Sequence, residues 1–137
     1  MTDTTLRKTI LLQAEPAQVW EYLTDPDKIA TWFHKPQAAL ALGETYEMLG
    51  KDSGEVFMSG KVLVAEPHTR LEYEFHLVPM GNTQSHVAWT LEAVEGGTRL
   101  SLVHSGLPQA AMGLAFGLDK GWDGHLGQMR DDISPAD

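Results

Sequence analysis

The side chains best equipped for chemistry in this chain are histidines and tyrosines set among aromatic residues. His104 follows Leu100 and Leu102 at the two-residue spacing of a strand, so the three share one face. His125 follows Leu118 and Trp122 at helical spacing. Both imidazoles are therefore directed inward, toward the same space. An imidazole titrates near neutrality and can act as general acid or base; an inward one also serves simply as a hydrogen-bonded part of the core. Tyr46, Tyr73 and Trp89 add polar groups on inward faces, and Trp32, Phe33, Met48, Met58, Phe75, Leu118, Trp122 and Met129 surround them. Each of these residues can be plain core. As a set they are expected to line an apolar pocket in which a few polar groups orient a ligand. His34, in Trp32-Phe33-His34-Lys35-Pro36, reads as an exposed loop residue or one at the pocket mouth, and His68, His76 and His86 as surface or turn residues.

Other chemistries lack their residues. Ser101 and Ser105 flank His104, but Ser101 lies on the opposite strand face and there is no Gly-x-Ser-x-Gly elbow. No pair of histidines four apart beside a glutamate suggests a metal, and no glycine-rich stretch runs into Lys-Ser or Lys-Thr, so neither a metal nor another cofactor is expected. A net charge of −9 opposes nucleic acid and anionic membrane surfaces. With no cysteine, disulfides and thiolate chemistry are excluded, which fits a cytoplasmic protein. No apolar run approaches the roughly 20 residues of a bilayer span, and the start lacks an export signal. A soluble chain is expected, whose partner is a hydrophobic small molecule, with a homodimer left open.

The elements that must position these residues follow from periodicity. Leu6–Leu12 reads as a strand, and Pro16 opens a helix carrying Val19, Trp20 and Leu23. The pattern breaks at Asp25-Pro26 and restarts with Ile29, Trp32 and Phe33, giving two short helices or one broken one. Tyr46 and Met48, then Val56, Met58, Val62 and Val64, make a hairpin interrupted by a turn over residues 50–54. Leu71, Tyr73, Phe75 and Leu77 alternate with Glu72, Glu74 and His76, which predicts the first set inward and the two glutamates exposed. After a turn over residues 79–83, Val87, Trp89 and Leu91 alternate with Glu92 outward. Leu100, Leu102 and His104 repeat the pattern beyond Gly97. Trp20 is expected to pin the first helix to the core and Trp32 to lie near the pocket entrance.

The segment from Gln109 to Arg130 places Leu114, Leu118, Trp122, His125 and Met129 on one helical face, with Gly113, Gly117, Gly121, Gly124 and Gly127 roughly opposite. Each internal glycine costs about 1 kcal/mol relative to alanine, so packing must hold this helix. A break between Gly117 and Gly121 is expected, with the segment as the adjustable wall of the pocket. The last eight residues read as too polar to be well ordered, which bounds a single domain, 1–137, with an ordered core of 6–130. The whole is an α+β fold of six strands in which a curved antiparallel sheet wraps a long C-terminal helix.

That order of elements resembles the SRPBCC or START-like superfamily, and within it the branch named after the activator of the heat-shock-protein-90 ATPase. The resemblance rests on Ala17-Gln18-Val19-Trp20, Asp25-Pro26 through Ile29-Ala30-Thr31-Trp32-Phe33, Gly97-Thr98-Arg99-Leu100 into Val103-His104-Ser105-Gly106, and Gly121-Trp122 leading to Leu126. It implies a helix-grip fold of the seven-strand class with a cavity between sheet and last helix, and a tie to stress response. Resembling members range from ligand-binding and resistance proteins to aromatase- or cyclase-like enzymes. The expectation here is a small-molecule binding protein. The alternatives are a cyclase-, dehydratase- or isomerase-like enzyme using a pocket histidine, and a protein-interaction module like chaperone cofactors. This chain is expected to carry only the one domain, without a separate N-terminal chaperone-docking region.

Overall fold

Alternation of side chains decides how the sheet faces its core. In β4 (Arg70–Leu77) Leu71, Tyr73 and Phe75 are buried, and Glu72 and Glu74 take the other face. A slip of one residue would bury both carboxylates at a cost of several kcal/mol. Glu72 is more covered than expected, at 16% side-chain exposure, because Arg70 and the His86 ring, 3.2 Å away, close over its carboxylate. The Leu77 side chain lies outside the described residues. A computed structural model supplies the coordinates, and it describes residues 4–49, 55–77, 83–107 and 112–133.

The chain runs β1 (Thr4–Leu12), α1 (Pro16–Thr24), α2 (Pro26–Ile29), β2 (Thr45–Leu49), β3 (Val56–Glu66), β4, β5 (Thr83–Val94), β6 (Gly97–Leu107) and α3 (Met112–Ile133). The six strands form one antiparallel sheet in the order β1-β6-β5-β4-β3-β2. This is the predicted α+β helix-grip architecture, with six strands among the described residues. Of the turns expected at 50–54 and 79–83, residues 50–54 and 79–82 lie outside the described residues, and Thr83 opens β5. At the open edge of β2, the Gln37 N–H donates to the Glu47 carbonyl and the Leu49 N–H to the Lys35 carbonyl, both at 3.2 Å. Those bonds occupy backbone groups that would otherwise invite another strand.

Two glycines are required by close backbone approach. A Cβ on Gly97 would sit 2.0 Å from the Leu12 carbonyl oxygen, and one on Gly60 2.1 Å from that of Glu74. At Gly97 the approach brings the end of β1 against β6, where the Thr98 hydroxyl donates to the Ala14 carbonyl at 2.7 Å. At Gly60 the β3–β4 ladder is interrupted. The Tyr46 hydroxyl then donates to the Glu74 carbonyl at 2.6 Å, and the Glu74 carboxylate accepts from the Lys61 N–H at 3.1 Å.

Trp32 departs from the role expected of it, while Trp20 packs against the core as expected but is covered only in part. Trp32 is 2% exposed and deep in the core, whereas Trp20 is half-buried and meets the His68 ring edge-on at 6.4 Å. Trp32 is drawn inward by a polar demand. The last carbonyls of a helix have no partner within it. The Trp32 indole N–H supplies one for Tyr22 at 2.7 Å, and the Leu40 N–H another for Thr24. Pro26 opens α2 and Asp25 is extended, so the predicted pair of short helices is what forms.

Helix α3 differs from the expectation in three ways. It runs unbroken through Gly117–Gly121. It also continues past Arg130 to Ile133, because Ile133 is buried and the Asp132 carboxylate accepts from the Tyr22 hydroxyl at 2.6 Å. Gln109, its predicted start, and the Leu114 side chain lie outside the described residues. Third, Gly117 and Gly121 flank the apolar stripe and only Gly124 and Gly127 keep the opposite side, with Gly121 about 60° from Leu118 at 100° per residue. The helix is pinned at several points. Lys8 on β1 pairs with Asp119 at 2.6 Å and Asp123 at 2.9 Å, and Trp122, Leu126 and Met129 are buried against the sheet.

Candidate functional site

A cavity of about 190 Å³ remains between α3, β4 and the segment after α2. Phe33, His34, Phe75, Gly117, Leu118, Gly121, Trp122 and His125 line it. Phe33 reaches it because backbone bonds from Trp32 and Phe33 to the Ile29 carbonyl carry the turn of α2 onward. Its ring stacks on Trp122 at 5.3 Å and on Trp32 at 5.1 Å, and takes the edge of His125 at 4.8 Å. Gly117 and Gly121 bring no side chain, so one flank of α3 stays open beside Leu118 and His125.

Of the residues expected to line a pocket, the structure brings Phe33, Phe75, Leu118, Trp122 and His125 to this cavity. Trp32, Tyr46, Met48, Met58, Tyr73, Trp89, His104 and Met129 are buried but do not line it. They fill the concave face of the sheet, so the pocket is confined to one end of it. Gly117 and Gly121, placed by the sequence on the far side of the helix, are wall residues. His34 faces the cavity too, with its ring centroid 6.0 Å from that of His125. Three aromatic residues in a row, Trp32-Phe33-His34, were the signal for it: once Trp32 goes into the core, its neighbours must edge the space beside it.

The polar groups expected to orient a ligand are consumed within the protein. The Trp89 indole donates to the Tyr73 hydroxyl at 3.0 Å, and the Tyr46 hydroxyl is committed to Glu74. Burial pushes both tyrosines well above the usual phenol range. His104 is wholly buried, accepting from the Trp122 indole at Nδ1 over 3.0 Å and lying 2.7 Å through Nε2 from the Ser85 hydroxyl. The indole can only donate, so Nδ1 is the acceptor and the proton resides on Nε2. That proton goes to Ser85 Oγ, whose own hydrogen goes to the Phe75 carbonyl at 2.9 Å. All donors run one way along the chain from Trp122 to Phe75. A Ser–His pair at this distance would suggest a nucleophile, but the nitrogen facing Ser85 already carries a proton and cannot take another. Burial, with the nearby His86 adding to it, lowers the His104 pKa to about 4. His104 is thus a neutral structural group that fixes the Trp122 wall.

His125 is arranged differently. Its Nδ1 lies 2.9 Å from the Trp32 carbonyl oxygen, which can only accept, so Nδ1 carries the hydrogen. In the neutral ring Nε2 is then the acceptor nitrogen. His125 is a hydrogen-bonding group in a wall otherwise made of aromatic rings, leucine and glycine, and His34 is beside it. Among the described residues no cluster of three or more histidines and carboxylates could hold a metal ion, and no helix is long and apolar enough to cross a membrane.

Several solved structures share this fold. MLL2253 from Mesorhizobium loti is 26% identical over 93% of this chain and 95% of its own, with a TM-score of 0.85. DynU16, a protein in the dynemicin biosynthetic locus, is 25% identical over 93% of this chain and 46% of its own, with a TM-score of 0.78. The Aha1 dimer from Colwellia psychrerythraea, 20% identical over 96% of both chains with a TM-score of 0.80, shares the fold. No curated protein matches the sequence. The family model for activator of Hsp90 ATPase homolog 1-like protein matches residues 13–132, from the end of β1 to the last turn of α3, and the chain belongs to that family.

Proposed function

We propose that this chain is a binding protein for an apolar, ring-containing small molecule held between the sheet and α3. The observation that carries this is the cavity itself. It is walled by Phe33, Phe75, Leu118 and Trp122, beside an interior in which Trp32, Tyr73, Trp89, Met48, Met58 and Met129 are buried. Rings prefer offset-stacked or edge-to-face neighbours at 4.5–7 Å, and the aromatic side chains along this wall offer such contacts to a ligand ring. DynU16, a fold neighbour from a biosynthetic locus, fits a chain that handles a small organic molecule. Thermal unfolding with a panel of one- and two-ring aromatic compounds tests the reading. A ligand at about 100 times its Kd stabilises the folded state by about 2.7 kcal/mol, which raises Tm by roughly 10 °C for a domain of this size. No shift with any member of the panel overturns the proposal.

One observation favours turnover as a second reading. The imidazoles of His34 and His125 edge the same cavity, and a neutral imidazole beside a bound substrate is the usual general base. The pair differs from the one the sequence suggested, since His104 is occupied behind Trp122. Solvent deuterium entering an enolisable bicyclic ketone such as 2-tetralone, at a rate that His125→Phe abolishes, would establish proton transfer. Equal exchange in both proteins would leave binding alone.

A further inference from the structure

Resting on the binding reading above, we infer that the cavity holds an uncharged group of at most two fused aromatic rings, and that Gly121 is the residue that sets this limit.

Volume gives the upper bound. An engineered apolar cavity of about 150 Å³ in another protein holds benzene, and about 190 Å³ adds room for one further fused ring. Pockets for drug-sized ligands start at roughly 300 Å³. The walls are tied in ways that resist widening. Trp122 donates its indole N–H to the buried His104 at 3.0 Å, and Phe33 is stacked on Trp122 at 5.3 Å and on Trp32 at 5.1 Å. Lys8 holds Asp119 at 2.6 Å and Asp123 at 2.9 Å, which brackets Gly121 along α3. Gly117 is exposed whereas Gly121 is half-buried, so the cavity opens toward Gly117, and a third ring projects there instead of being held.

The lining sets the charge. Among the described residues no lysine, arginine, aspartate or glutamate lines the cavity. A carboxylate on the ligand would lie mainly against ring, leucine and glycine surface, with no permanent cation to face and a chain of net charge −9 around it. A ligand ammonium would lose its hydration in the same way and find no carboxylate.

Gly121 decides where the room ends. A Cβ at this position meets nothing within 4 Å, so the volume beside its Cα belongs to the cavity. A methyl group there takes back the space that separates two rings from one.

The test measures Kd at pH 7.5, from the change in tryptophan emission, for toluene, naphthalene, phenanthrene and 2-naphthoate. Burying one more ring adds about tenfold in affinity, so naphthalene is expected about tenfold tighter than toluene. Phenanthrene should fall within about threefold of naphthalene because its third ring is not held, and 2-naphthoate should be at least about tenfold weaker. Gly121→Ala favours the helix and meets no neighbour, so it folds; it should weaken naphthalene at least about tenfold and toluene less than about twofold. Gly124→Ala adds the same methyl group to the same helix away from the cavity, and should leave every ratio unchanged. Phenanthrene binding about tenfold tighter than naphthalene overturns the size limit, and 2-naphthoate matching naphthalene overturns the exclusion of charge. A naphthalene-to-toluene ratio that Gly121→Ala does not change overturns the role of Gly121. In each of these cases the binding reading stands, whereas it fails if none of the four compounds binds.

Discussion

Acid should unfold this protein through His104. The imidazole is buried and neutral with a pKa near 4, while in the unfolded chain it returns to about 6.5. Between those values the unfolded state binds the extra proton, so stability is full above pH 6.5 and is lost as pH falls toward 4. A displacement of that size removes about 2 kcal/mol at pH 5 and about 3 kcal/mol by pH 4, a sizeable part of the 5–15 kcal/mol that holds most domains folded. The structural consequence is specific. A proton on Nδ1 faces the Trp122 indole N–H, so two donors meet where one bond had been, and the cavity wall loses its support.

The perturbation is best isolated by difference, because acid acts on every carboxylate of the chain as well. Urea unfolding of the native chain and of His104→Gln, which cannot titrate, should be measured at half-unit steps from pH 7.5 to 4.5. The gap between them is expected to close by about 2.5 kcal/mol over that range, with the variant the less stable at neutral pH. Histidine ring proton spectra give an independent reading that does not require the variant to fold. Of the six histidines, His104 should show no titration near pH 6.5. Parallel stability curves, together with a His104 resonance that titrates normally, would refute the donor chain from Trp122 to Phe75.

Other consequences are simpler to read. Trp32→Ala should destabilise by about 3–5 kcal/mol, and Trp20→Ala by about half as much or less, since only the first is fully buried and hydrogen-bonded; the reverse order in urea unfolding would contradict the assignment. Gly97→Ala drives a methyl group into the Leu12 carbonyl and should prevent stable folding, whereas Gly124→Ala meets open space within a helix and should stabilise by roughly 0.5–1 kcal/mol in thermal unfolding. Tyr22→Phe removes the bond to Asp132 and should cost about 1 kcal/mol, with faster amide exchange confined to the last turn of α3. Amide exchange should also divide α3. Trp122–Arg130 is expected to be as protected as the central strands, because Trp122, Leu126 and Met129 are buried there. The turn before Leu118, beside the open glycine flank, should exchange faster and slow when a one- or two-ring aromatic compound binds.

Periodicity carried the sheet and the long helix, because a strand with one wet face must alternate and a slipped register is expensive; Leu71, Tyr73 and Phe75 opposite Glu72 and Glu74 are the clear instance. It could not reveal how the inward polar groups are satisfied. Trp89 reaches Tyr73 diagonally across β4 and β5, and Ser85 reaches His104 diagonally across β5 and β6, so both bonds depend on strand register. A trace was nonetheless present. Ser85 has the same parity as Val87 and Trp89, and a hydroxyl on an otherwise apolar inward face implies a buried partner.

The position of the cavity depends on contacts still further apart in sequence. The sequence reading places Trp32 near a pocket entrance, yet the orphan carbonyl of Tyr22 at the end of α1 pulls it into the core and leaves Phe33 and His34 at the edge. On α3 the decisive feature is the rotation of the helix about its axis. The sequence permits the apolar stripe to be centred on Leu118 or on Trp122, and the Trp122–His104 bond, the His125–Trp32 bond and the Lys8 pairs with Asp119 and Asp123 together select one setting. At that setting Gly121 turns to the cavity. A glycine flank that would merely weaken an isolated helix thereby becomes the space in which a ring can lie beside His125. Gly121→Leu should accordingly fill the space, leave folding intact because an added Cβ meets nothing within 4 Å, and lower affinity for one- and two-ring aromatic compounds at least tenfold. Undiminished binding in that variant would place the ligand elsewhere on the molecule.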